Sequence, residues 1–318
     1  MSGAGVLSPD KAAIAWEVRL RDGEVAADEL AAFEAWRGEA DNARAWQALQ
    51  ERLARLRGTG ARERAATAAA LRVSSASRRK MLRAGFGVAS AVLLGVGVRE
   101  SVRGLGLDAD WRSGIGSIET VRLADGTPMT IDAGSRIYRA AAREAGAQPE
   151  DIALRVSEGQ VLVRMAPGLR GRITLATRDG AVTGRVGTLN VGRIGRRSIV
   201  SVRGGDAWLH PARGAPVAVR AGDSLAFSAD GVHRVGQPFE LVSAWTRGMY
   251  VADDVPLSDL VDVFSRHRHG VLQVAGSAGE LRISGVFMLG DIDAALRQVA
   301  QSAPVTVTRL GPYLTVLT

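Results

Sequence analysis

The 318-residue chain contains no cysteine. A disulfide framework, a thiolate nucleophile and a cysteine metal cage are therefore all excluded. Lysine is nearly as scarce: Lys11 and Lys80 are the only two, so arginine supplies almost all of the 41 basic residues. The opening stretch, MSGAGVLSPDKAA, has no apolar region of the kind a cleavable secretion signal requires. No nucleophile elbow, phosphate-binding loop or zincin motif occurs. Gly114-x-Gly116 lacks the third glycine and the following helix of a dinucleotide fingerprint. Of four histidines, only His267-x-His269 forms a close pair, and Arg266 and Arg268 beside it oppose a bound cation. These absences predict no metal, no cofactor and no enzymatic turnover.

The net charge of +8 invites a nucleic-acid reading. Residues 1–83 hold 15 Lys/Arg against 11 Asp/Glu, and the remainder holds 26 against 22, so the surplus is diffuse. A DNA-binding element concentrates its charge and interleaves it with groups that read base edges. A soluble basic DNA-binding protein is therefore not expected.

One clump of charge stands out, at Arg78, Arg79, Lys80 and Arg83, directly before the uncharged run Ala84–Val98 (AGFGVASAVLLGVGV). Fifteen helical residues span about 22 Å, short of a hydrocarbon core of about 30 Å. Starting at Met81, with Arg83 reaching back to the interface, extends the reach to about 27 Å. A buried helix would also fit this length. The basic flank and the small residues Gly85, Gly87, Ala89, Ser90, Gly95 and Gly97 predict instead a transmembrane helix over 81–98, with its N-terminus cytoplasmic. Ser77–Arg83 also resembles a twin-arginine export signal, with an ordinary basic flank as the alternative.

Before this run lies a helical head, residues 1–57, joined to it by a linker at 58–80. Ser8-Pro9-Asp10 reads as an N-cap with proline at the first helical position. Ile14, Trp16, Val18 and Leu20 give this helix an apolar side. Leu30, Phe33 and Trp36 mark a second helix, and Trp46, Leu49, Leu53 and Leu56 a third. A unit this small cannot bury three tryptophans easily, so a partner is expected to complete it.

Residues 112–230 alternate apolar and polar positions between turn dipeptides, predicting serial hairpins. Those turns are Asp125-Gly126, Glu158-Gly159, Asp179-Gly180, Gly204-Gly205 and Gly222-Asp223. An antiparallel sandwich or meander is expected there. Residues 244–318 read as βαββαβ, with helices over Pro256–Arg268 and, capped by Asp291, over 291–301.

The spacings Trp16-x-x-Arg19-Leu20, Phe33-x-x-Trp36 and Ala45-Trp46-x-x-Leu49 resemble the N-terminal domain of FecR-type sigma regulators. Val121-x-Leu123-x-Asp125-Gly126, Ala133-x-Ser135-x-Ile137, Gly159-x-Val161-x-Val163 and Val186-Gly187-Thr188 follow in the order of the FecR domain. Trp245-x-x-Gly248 and Ser284-Gly285-x-Phe287 are similar to its C-terminal STN-like module. The chain departs from the family pattern at Gln160, where an acidic residue is usual, and at Asn190, where an aromatic is usual. The resemblance implies a small all-α head, a single transmembrane helix, an antiparallel all-β FecR-like domain and an α+β STN-like module. It implies a bacterial inner-membrane protein with a periplasmic C-terminus. Its partners would be an extracytoplasmic-function sigma factor, bound through Trp16, Arg19, Leu20, Phe33, Trp36, Trp46 and Leu49, and the signalling domain of a TonB-dependent receptor. Iron-siderophore or similar uptake would supply the signal. It also implies self-cleavage at Gly187-Thr188 by attack of the Thr188 hydroxyl on the Gly187 carbonyl. The competing expectation is a membrane-anchored cell-envelope binding module with no link to transcription.

Overall fold

The computed structural model describes residues 8–20, 27–51, 109–140, 148–168, 171–311 and 313–318. The expected membrane helix at 81–98, its flank Arg78, Arg79, Lys80 and Arg83, and the linker lie outside the described residues.

The head has three short helices: α1 (Pro9–Leu20), α2 (Ala27–Arg37) and α3, described over residues 40–51. Charge suits the helix dipoles, with Asp10 in the first turn of α1 and Arg19 in its last, and Asp28 and Glu29 opening α2 before Arg37 closes it. Asn42 Nδ2 donates to the Trp36 carbonyl (3.0 Å) and to Glu39 (3.0 Å), fixing the corner between α2 and α3.

Residues 111–234 form two seven-stranded sheets. The first runs β1 (Trp111–Arg112), β4 (Arg136–Ala140), β5 (Ile152–Glu158), β7 (Ile173–Thr177), β8 (Gly180–Gly184), β11 (Ala207–Pro211), β12 (Val217–Val219). The second runs β14 (Gly231–Arg234), β13 (Ser224–Ser228), β10 (Arg197–Arg203), β9 (Gly187–Ile194), β6 (Gln160–Met165), β3 (Pro128–Ile131), β2 (Glu119–Arg122). Their facing side chains share one core, including Leu154, Val156, Leu175, Val182 and Leu209 from the first sheet and Val161, Val163, Leu189, Val191, Val200 and Val202 from the second. Each such fully buried side chain contributes about 1.5–3 kcal/mol relative to an exposed one.

The C-terminal module comprises α4 (Phe239–Val242), a 3-10 turn (Ala244–Arg247), β15 (Met249–Pro256), α5 (Leu257–Arg266), β16 (Val271–Val274), β17 (Arg282–Met288), α6 (Ile292–Ser302), β18 (Val307–Leu310) and β19 (Leu314–Leu317). Leu257, Leu260, Val261 and Phe264 are buried along α5 at helical spacing. The Asp291 carboxylate caps α6 by accepting from the Ala294 amide at 2.9 Å.

The architecture corrects the expected fold in four respects. No described helix is long and apolar enough to cross a membrane. The sandwich is not wholly antiparallel, because β5 and β7 pair in parallel. Of the five expected hairpins, only β2–β3 and β7–β8 form; at Glu158-Gly159, Gly204-Gly205 and Gly222-Asp223 the chain crosses to the other sheet. The C-terminal module is βαββαββ split between two sheets, β15–β17 and β16–β19–β18, with a parallel β16–β19 pair.

The described parts of residues 1–49 and 110–318 belong to one compact unit. Lys11 of α1 pairs with Asp253 at 2.7 Å, and Arg19 with the buried Glu240 of α4 at 3.1 Å. The expected separation of head and body across a membrane finds no support in this arrangement.

Candidate functional site

In the head, the sequence-predicted aromatics converge. Phe33 is buried, with its ring 5.5 Å from Trp16, 6.2 Å from Trp36 and 4.9 Å, edge-on, from Trp46. The three indoles surrounding it are each only half-buried, leaving an aromatic surface around a buried hub. Leu49 is buried beneath, and Leu20 is half-buried. Arg19 lies over the Trp16 ring at 5.2 Å while its guanidinium reaches Glu240. Arg19 is thus already engaged, whereas the indoles remain partly accessible.

Gly187 and Thr188 begin β9, which lies between β6 and β10. Gly187 has φ +90°, a conformation that side chains other than glycine rarely adopt. A Cβ there would also lie 2.5 Å from the Arg203 carbonyl oxygen. Thr188 sits directly opposite Arg164 on β6 and Arg203 on β10, so an arginine flanks it on either side of the same sheet face.

That face of the second sheet is covered by the C-terminal module. Thr130, Gln160, Asn190, Ser201 and Ser224 are all buried on it, although strand alternation turns them away from the sandwich core. Polar groups buried this way need partners. Trp245 Nε1 donates to Asn190 Oδ1 at 2.9 Å, the Ser201 and Ser224 hydroxyls bond at 2.8 Å, and Arg203 covers the Phe239 ring at 5.0 Å. Arg197 of β10 pairs with Asp259 of α5 at 2.7 Å. Burial raises the Asp259 carboxyl above its ordinary value, against the opposing pull of Arg197.

A second junction joins the end of α5 to the sandwich. Asp132, fully buried, accepts from Gln160 Nε2 (3.1 Å), Arg266 Nη1 (3.3 Å) and its neighbouring Ala133 amide (2.8 Å). His267 Nε2 stands 3.2 Å from the same carboxylate, its side chain 2% exposed. His267 and His269 therefore part company, one buried and one exposed. Among the described residues no group of His, Asp or Glu is arranged to hold a metal ion. Sequence reading missed this junction because Asp132 and Arg266 are 134 positions apart. Asp132→Ala is expected to cost about 3–5 kcal/mol by removing the buried acceptor of Gln160 and Arg266, the latter keeping only Asp262 at 3.7 Å. Urea unfolding of the two proteins measures this, and a loss below about 1 kcal/mol would contradict it.

Gln160 and Asn190, where the chain departs from the family pattern, are both joints to the C-terminal module: Gln160 through Asp132, Asn190 through Trp245. An uncharged amide on a strand, where an exposed face would carry Lys or Glu, is the local signal that could have marked them.

Comparison with known proteins follows this architecture. Residues 109–207 match the family model described as FecR protein, and residues 11–52 match a domain of unknown function, DUF4880. No curated protein matches the chain. Two crystal structures of a candidate anti-sigma factor from Parabacteroides distasonis ATCC 8503, at 1.65 and 2.50 Å resolution, share its fold. Both superpose with a TM-score of 0.57 at 17% identity, over 65% of this chain and 97% and 96% of theirs. The chain therefore carries a FecR domain at residues 109–207, preceded by a DUF4880 segment at 11–52.

Proposed function

We propose that the chain is a sigma-factor regulator whose helical head binds an extracytoplasmic-function sigma factor. The observation that carries this reading is the ring of partly buried Trp16, Trp36 and Trp46 around Phe33, in a head joined to a FecR domain. Large aromatic side chains that keep exposed faces are what a protein partner buries at the centre of an interface. Arg19 would have to exchange Glu240 for the partner, so the indoles are expected to contribute more than Arg19 does. The fold shared with a candidate anti-sigma factor supports the same reading. For the body we propose the signalling domain of a TonB-dependent receptor in the cell envelope as the input, with iron-siderophore or similar uptake as its occasion. Co-purification of the tagged full chain with the sigma factors of its host tests the proposal. One extracytoplasmic-function sigma factor should be retained by the parent and at least tenfold less by Trp36→Ala. Retention of none would favour an envelope binding module instead.

A second reading, self-cleavage, is favoured by Gly187 and its surroundings. The left-handed Gly187, directly before a threonine hydroxyl, suits attack of Thr188 Oγ on the Gly187 carbonyl carbon. The Gly187–Thr188 C–N bond breaks as the hydroxyl proton passes to the released amine, leaving an ester. Water then hydrolyses the ester, giving a Gly187 carboxylate and restoring the threonine hydroxyl.

A further inference from the structure

Among the described residues, the outer face of the first sheet is largely exposed, unlike that of the second, and its side chains are unevenly distributed. Strand register sets two rows across it. One row reads Tyr138, Arg155, Ala176, Ala181, His210 over β4, β5, β7, β8 and β11. The next reads Ala140, Ala153, Thr174, Thr183, Trp208, Ala218, from β4 to β12. The two central strands thus carry only alanine and threonine, with Arg155 and Tyr138 rising on one side and Trp208 and His210 on the other. Strands spaced about 4.8 Å apart make this trough about 14 Å from wall to wall.

Trp208 is 54% exposed. Its cross-strand neighbours, Thr183 and Ala218, are too small to cover an indole, so the ring keeps a face open to solvent. The open indole offers a flat apolar face on which a ring can stack. Beside it a cavity of about 470 Å³ is lined by Arg172, Thr183, Arg185, Asp206, Trp208 and His210. That volume falls within the range of small-molecule sites.

The charges around the cavity select the ligand. Arg172 is held rigidly, donating to Asp151 through Nε (3.2 Å) and Nη2 (3.0 Å). Hydrogen bonds from the Arg172 and Gln148 amides hold the Asp151 carboxyl down at about 2, so this anchor stays ionised. Arg185 is exposed and has no ion-pair partner among the described residues. Asp206, the one acid in the lining, is engaged with the Ala221 amide at 3.2 Å. An open indole face, a flat floor with the Thr174 and Thr183 hydroxyls, and two arginines at one end suit a flat, hydroxyl-rich, anionic ring. The C–H face of a pyranose stacks on an indole, its hydroxyls meet threonines, and its carboxylate meets a guanidinium.

We propose that this trough is a binding site for an anionic saccharide, of the uronic-acid type, stacked on Trp208 with its carboxylate at Arg185 and Arg172. None of the residues that line the cavity belongs to the head, so the proposal stands or falls independently of the sigma-factor reading.

Isothermal titration of the full chain with tetragalacturonate, galactotetraose and tetraglutamate tests the assignment. Tetragalacturonate should bind saturably, and neutral galactotetraose at least about tenfold more weakly, for want of the carboxylate contacts. Trp208→Ala and Arg185→Gln should each weaken tetragalacturonate binding about tenfold, while Trp208→Phe retains most of it. Both side chains are exposed, so the thermal midpoint of each variant should match the parent. Absence of tetragalacturonate binding, or full affinity in Trp208→Ala, overturns the proposal. Equal affinity for tetraglutamate also overturns it, by showing a merely cationic surface.

Discussion

Phe33→Ala should unfold the helical head and abolish sigma-factor retention, whereas Trp36→Ala should weaken retention and leave the head folded. Phe33 is 5% exposed and meets three indoles, at 5.5, 6.2 and 4.9 Å between ring centroids. Truncating a buried phenylalanine costs about 3–5 kcal/mol, and each lost aromatic pair adds about 0.5–1.5 kcal/mol. A single core in a unit this small rarely supplies more than about 3–5 kcal/mol of stability. The loss therefore matches or exceeds what holds the head together. Trp36 is half-buried on the rim and packs chiefly on Phe33 and Trp16, so its truncation leaves the hub in place. Near-ultraviolet circular dichroism of the full chain reports the loss of the fixed indole environment, and co-purification reports binding. Phe33→Ala that keeps both the aromatic signal and the sigma factor would show that the head has another core.

The head was legible because its helices are short and its apolar residues, such as Phe33 with Trp36 and Trp46 with Leu49, fall at i, i+3 spacing, which places them on one side whatever the surroundings. The strands were legible for the same local reason, but their partners were not. A glycine turn specifies a reversal of direction, not which sheet receives the next strand. Glu158-Gly159 shows the difference. A Cβ on Gly159 would lie 1.9 Å from the Ser135 hydroxyl, so this glycine lets the chain turn a corner between sheets against a neighbouring strand. No residue in the turn encodes that neighbour. The same limit hid the covered face of the second sheet. Alternation assigns Gln160, Asn190, Ser201 and Ser224 to the side away from the sandwich core, and that much holds. That they are buried rather than solvated depends on Trp245, Phe239 and Asp259, which lie beyond the sandwich in sequence. Arg266 and His267 illustrate it from the other side. Their charge argued against a metal at the histidine pair, while the carboxylate that meets them comes from Asp132, on the other side of the module boundary.

Self-cleavage at Gly187-Thr188 should give a protein that is two bands under denaturing conditions and one particle under native ones. This follows from where the bond lies. Residues up to Gly187 supply β2, β3 and β6 of the second sheet, and residues from Thr188 supply the rest of β9 with β10, β13 and β14. The first sheet is divided likewise, with β1, β4, β5, β7 and β8 before the break and β11 and β12 after it. The register pairs Leu189, Asn190 and Val191 of one fragment with Val163, Leu162 and Val161 of the other, and Leu189, Val191, Val161 and Val163 fill the shared core. Parting the fragments would expose that core, so they should separate only on unfolding. Thr188→Ala removes the attacking oxygen and should leave a single full-length band; Thr188→Ser keeps a hydroxyl and should still cleave. Gly187→Ala should also stay intact or fail to fold, since a Cβ would press on the Arg203 carbonyl at 2.5 Å in a left-handed conformation. Denaturing gels, native size-exclusion and intact mass on the same sample decide the matter. Parent protein that remains one chain after prolonged incubation, or Thr188→Ala that is cut as readily as the parent, would leave Thr188 as a strand residue and assign any break to an external protease.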